Sequence, residues 1–136
     1  MEIPIYELRK GSLISFEDYS MEAFEVEDIR REDLIRAKGG KNGHWINPID
    51  QVTGIPITPD TLEAIGMNEG KNVTKDDRLI DIIFKRGRYV VWYEELPHSH
   101  IQFIHQLQNL YLAITGQEMP LAEGAREKLC EILSRQ

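Results

Sequence analysis

A chain of 136 residues, 41% hydrophobic and 29% charged, has the length of one domain and enough apolar material to bury a core, which excludes wholesale disorder. The 23 acidic against 16 basic side chains give a net charge of −7. That balance disfavours nucleic-acid binding by the surface as a whole and leaves only a local basic patch able to act.

Residues 1–57 read as a β-rich meander. Lys10-Gly11 is a turn signal ahead of a short strand at 13–16, and Phe24 and Val26 alternate with acids across 23–29, the period of a half-buried antiparallel strand, so the two make a hairpin. A third strand near 34–37 and a fourth at 44–46 flank Asn42-Gly43, which suits the two positive φ values of a type I′ turn. Short strands with tight turns predict a small, strongly bent antiparallel sheet or an SH3-like barrel. Ile55-Pro56-Ile57 is extended because proline restricts itself and the residue before it. Thr58 then caps a short helix over 58–66, with Pro59 at its first position and Gly66 as its stop. Residues 67–77 are polar and read as a loop. A second hairpin spans 79–93 around Lys85-Arg86-Gly87-Arg88, with Ile80, Ile82 and Phe84 sharing one face and Trp92 opposite in sense to Tyr89, Val91 and Tyr93.

A central helix is expected over 99–115 with Ser99 as its cap, because Phe103, Ile104, Leu107, Leu110, Tyr111 and Ile114 cluster within roughly a third of the circumference at about 100° per residue. A second line, Ile101, His105, Gln108 and Leu112, is expected to meet a neighbouring segment or a partner, while Gln102, Gln106 and Asn109 face away from the core. No charge interrupts 101–117, so this helix should rest on tertiary packing and not on ion pairs. Residues 120–135 form a last amphipathic helix through Ala122, Ala125, Leu129, Ile132 and Leu133, with an interior Gly124 costing about 1 kcal/mol relative to alanine.

Three blocks of the chain, LRKGSLISF, IPITPDTLEAIGM and HQLQNLYLAITGQEM, resemble a family of small uncharacterised proteins of Bacteroidetes genomes, their prophages and other mobile elements. Members share an "LRxGN"-type strand, a "PIPLTPE-LE-GF"-type turn and helix, and a "HQLQNLYFALTGEEL"-type helix near the end. The match covers about a third of the residues, and the last helix is its specific part. Ser12 stands where the family usually has Asn, and the 17 residues after Met119 lie outside the pattern. The resemblance implies no activity, catalytic residue or cofactor; it implies a phage or mobile-element context.

The single cysteine, Cys130, cannot make an intramolecular disulfide and sits as a small apolar residue beside Leu129 and Leu133, which fits a reduced compartment. No run approaches the ~18 apolar residues of a membrane span and no apolar stretch opens the chain, so a cytoplasmic protein without membrane contact is expected. Acids dominate 1–29 and bases 71–88; the two regions could be complementary in space, but solvated faces are the expectation.

His98, His100 and His105, with Glu94 and Glu95 nearby, are the densest set of metal-ligand types. Their spacing matches no zinc motif, so no metal and no cofactor is expected. Lys85, Arg86 and Arg88 beside Trp92 are the candidate ligand-binding residues, able in kind to touch phosphate and stack a base. Gly39 to Gly43 is glycine-rich but lacks the P-loop pattern and reads as a turn. No nucleophile, base and orienter assemble. The sequence therefore points to a non-enzymatic α+β protein that acts through a protein partner or a homo-oligomer, with a nucleic-acid or nucleotide-binding module at 85–88 as the alternative.

Overall fold

The β-branched and aromatic residues of the first third form β1 (Leu13–Phe16), β2 (Tyr19–Arg31), β3 (Leu34–Gly39), β4 (Gly43–Pro48) and β5 (Val52–Thr53), an antiparallel sheet ordered β4-β3-β2-β1-β5. The computed structural model describes residues 7–31, 34–39, 43–74, 76–98 and 100–135. The expected Asn42 turn position and the Ser99 cap lie outside them. β2 is 13 residues long, well beyond the expected 23–29, because two neighbours share it. Ile14 pairs with Phe24 on one side, Val26 with Ala37 and Ile29 with Ile35 on the other. Register slips at Val26/Asp28 and Ile29/Arg31 mark where the strand departs from a regular ladder, and such bulges bend a strand.

Alternation along β1 and β2 feeds two cores. Ile14, Phe16, Phe24 and Val26 join Ile35, Ala37, Ile49 and Val52, with the Phe16 and Phe24 rings edge to face at 4.8 Å. Leu13 and Ala23 point the other way, into a larger core shared with all three helices and the second sheet. Phe24 also fixes Gly39: a Cβ there would lie 2.1 Å from the ring.

The short helix α1 (Pro59–Ile65) forms where expected. Thr58 accepts from the Thr61 amide at 3.1 Å, Thr61 Oγ1 accepts from the Thr58 amide at 2.8 Å, and Gly66 closes the helix at φ 91°. The second sheet is antiparallel and ordered β6-β7-β8-β9, from β6 (Gly70–Val73), β7 (Leu79–Lys85), β8 (Arg88–Tyr93) and β9 (Leu96–His98). β6 corrects the expectation of a loop throughout 67–77. Gly70 and Asn72 carry low strand propensity, and the Asn72 side chain bridges back to the Asn68 amide and carbonyl at 2.8 and 2.7 Å.

Helix α2 (Ile104–Thr115) begins five residues later than expected. Residues 101–103 are instead extended against 55–57: Pro56 bridges Phe103, the Ile57 amide donates to the Gln102 carbonyl at 3.1 Å, and the Ile104 amide donates to the Ile55 carbonyl at 2.9 Å. Gln106 Oε1 accepts from the Gln102 and Phe103 amides at 2.7 and 3.1 Å. Helix α3 (Ala125–Ser134) likewise starts later than 120, with Gly124 as its N-cap at φ 72° and not an interior weak point. It packs across β2, where Cys130 Sγ accepts from the Ala23 amide at 3.2 Å.

Candidate functional site

Two constellations stand out. The first is the uncharged polar run of α2. Ile101, His105 and Gln108 are buried and Leu112 is half-buried, so of the two expectations for this line it is the neighbouring segment and not a partner that it meets. The Gln108 amide clamps the segment before β1, accepting from the Leu13 amide at 2.8 Å and donating to the Gly11 carbonyl at 2.9 Å. Gln106 and Asn109, expected to face away, hold the same segment. Asn109 Nδ2 donates to the Glu7 carbonyl at 2.8 Å and Asn109 Oδ1 accepts from Arg9 Nε at 2.9 Å. Arg9 also donates to the Gln108 carbonyl and pairs with Glu118. His105 Nε2 is 3.0 Å from Glu7 Oε1, and burial pushes its imidazole pKa down. The run thus joins the LRKGS segment to the HQLQN helix, a structural role.

The same contact dismantles the histidine set. His98 and His100 come together, with ring centroids 5.9 Å apart, while His105 belongs to Glu7. Among the described residues no group of three or more His, Cys, Asp or Glu is arranged to hold a metal ion.

The second constellation is the outer face of the four-stranded sheet. Ile80, Ile82 and Val91 are wholly buried against the helices, so strand alternation turns Leu79, Asp81 and Ile83 of β7 outward. Their register partners share that face: Val73 beside Leu79, Lys71 and Trp92 beside Asp81, Val90 beside Ile83. Val73 is 69%, Leu79 44% and Ile83 40% exposed. Trp92 lies in a cleft of about 580 Å³ with Leu79, Asp81, Ile83 and Tyr93, bordered by Asp77, Arg78, Glu94 and Glu95. Arg78 is already engaged, donating to the Tyr93 hydroxyl at 2.6 Å and pairing with Asp76 at 2.9 Å. The cleft edge is therefore acidic. Asp77, Glu94 and Glu95 also carry positive φ, of 66°, 52° and 65°, a conformation uncommon outside glycine.

Sequence reasoning placed Trp92 with Lys85, Arg86 and Arg88. The structure separates them along the strand: the three bases are exposed at the β7–β8 tip and none lines the cleft. Arg86 sits in the turn itself at φ 55°. Leu79, Asp81 and Ile83 were missed, although the alternation that marked Ile80 and Ile82 as one face implied the other, and Glu94 and Glu95, read from the sequence beside the histidines, border the cleft instead. Among the described residues the ion pairs of the β2 acids lie within the first sheet: Glu27 meets His44 Nδ1 at 2.6 Å and Arg36 at 3.8 Å, and Asp28 meets Arg30 at 3.3 Å. The His44 contact holds the Glu27 carboxyl below the usual range.

These features define an α+β protein whose described residues form two antiparallel sheets and three helices with an open apolar sheet face, and no described helix is long and apolar enough to cross a membrane. No family model, curated protein or solved structure matches the chain.

Proposed function

We propose that this chain is a non-enzymatic accessory protein that acts by protein–protein contact, through the outer face of the second sheet. One observation carries the reading: Val73, Leu79, Ile83, Val90 and Trp92 form a contiguous half-exposed apolar surface on a regular sheet. Contiguous apolar patches on a domain that has already buried two cores are interaction surfaces. The resemblance of the HQLQN helix and its companion blocks to Bacteroidetes prophage proteins supports a phage or mobile-element setting in the host cytoplasm. We also read the five-strand sheet, with the 3₁₀ turn Ile49–Gln51 before β5, as SH3-like.

The acidic border of the Trp92 cleft ranks this reading above nucleic-acid binding, since a base stacked on Trp92 would bring its phosphate toward Asp81, Glu94 and Glu95. The test is association measured with Ile83→Asp and Trp92→Ala against Ile46→Asp, a half-exposed position on the first sheet. Loss with the first two and retention with the third is expected. Equal retention in all three removes the outer face from consideration.

A further inference from the structure

The apolar middle of this face is bracketed by opposite charges. At one end, β7 and β8 meet in a tip carrying Lys85, Arg86 and Arg88; at the other, β8 runs into the turn of Glu94 and Glu95. Arg88 and Glu94 are six positions apart, about 20 Å at strand rise. Arg88, Val90 and Trp92 fall on one side of β8 by alternation, as do Leu79, Asp81, Ile83 and Lys85 on β7, and Glu94 and Glu95 of the following turn border the cleft that Trp92 lines on that side. In the middle, Asp81 is matched by Lys71 opposite it on β6.

A surface that is basic at one end, apolar in the middle and acidic at the other is complementary to itself when turned end for end. We infer that the outer face of β6–β9 is the interface of a two-fold dimer of this chain. The two sheets stack face to face and their β8 strands run in opposite senses, with the Lys85/Arg88 end of one copy over the Glu94/Glu95 end of its partner. This rests on the proposal that the face is an interaction surface and names its occupant.

A two-fold axis lying between the sheets and across the strands performs that exchange of ends; an axis along the strands would set like charges over one another, and the charge pattern selects the first. Strands about 4.8 Å apart, of which β7 and β8 are about 20 Å long and β6 and β9 about half that, offer on the order of 300 Å² of projected face per copy. A standard interface buries about 800 Å² of accessible surface per partner. The pair is therefore weak and concentration-dependent.

The experiment is light scattering on the full chain over a concentration series reaching the millimolar range, with two charge-reversed variants checked for folding by circular dichroism. One carries Lys85→Glu and Arg88→Glu, the other Glu94→Lys and Glu95→Lys. The wild type should move from monomer to dimer, each variant alone should need at least about tenfold more protein, and their equimolar mixture should recover wild-type dimerisation. Recovery on mixing is a result that a merely destabilised fold cannot give. A wild type that stays monomeric throughout, a dimer that ignores both reversals, or a mixture that does not recover overturns the inference. If the wild type is monomeric while Ile83→Asp still removes a captured partner, the second copy falls and the interaction reading stands; if Ile83→Asp changes nothing either, both fall.

Discussion

His105 Nε2 lies 3.0 Å from Glu7 Oε1, while Nδ1 of the same wholly buried ring has no hydrogen-bond partner. The geometry fits a neutral imidazole that donates from Nε2 to a carboxylate and leaves Nδ1 bare. Protonation would place a second N–H in an enclosed site without an acceptor, which is why burial outweighs the Glu7 charge and lowers the pKa.

A histidine depressed in the folded state means that the unfolded chain binds the extra proton first. Stability from this group is full above the usual imidazole value of about 6.5 and drains away as pH falls below it, toward the lower folded value. Urea midpoints measured from pH 8 to 5 should stay level and then drop. His105→Gln keeps an N–H for Glu7 without titrating, so its profile should be flatter below pH 6.5; an identical profile would remove His105 as the cause.

Gln108 is the clamp between α2 and the segment entering β1. Replacing it with Leu leaves the Leu13 amide and the Gly11 carbonyl without the partners at 2.8 and 2.9 Å. Each unsatisfied buried group costs about 1–3 kcal/mol. Chemical denaturation should show a loss in that range or above it, and an unchanged midpoint would mean that the segment rebonds elsewhere.

Gly39→Ala pushes a methyl into the Phe24 ring, which Phe16 and Trp45 hold from other sides at centroid distances of 4.8 and 5.8 Å. Overpacking of this kind costs about 1–3 kcal/mol. A lowered Tm with unchanged near-native circular dichroism is expected. A variant as stable as the parent would show that Phe24 has room to move.

Much of the fold was legible because local chemistry and tertiary context agreed. Thr58, Pro59 and Gly66 act on their own few residues, so α1 could be read directly. Helix α2 could be recognised but not its start, because residues 101–103 take their conformation from Ile55 to Ile57, some 46 positions away in sequence. The polar residues of HQLQN misled for the same reason. Helical phase places them around a circumference but does not reveal that Glu7 and Arg9 arrive to satisfy them. The outer sheet face was half-visible: period 2 gave Ile80 and Ile82 their side, yet which side met helices needed the whole chain.

The most direct test of the account is a dilution series followed by NMR through the two tryptophan indole signals. Trp92 lines the open cleft of the second sheet, while the Trp45 indole nitrogen is buried in the first, packed near Phe24 and Tyr19. If the outer face of β6–β9 is the interface between two copies, the Trp92 indole and the amides of β7 and β8 shift with concentration while Trp45 stays fixed. Shifts confined to Trp45 and β4, or none at either indole, would contradict it.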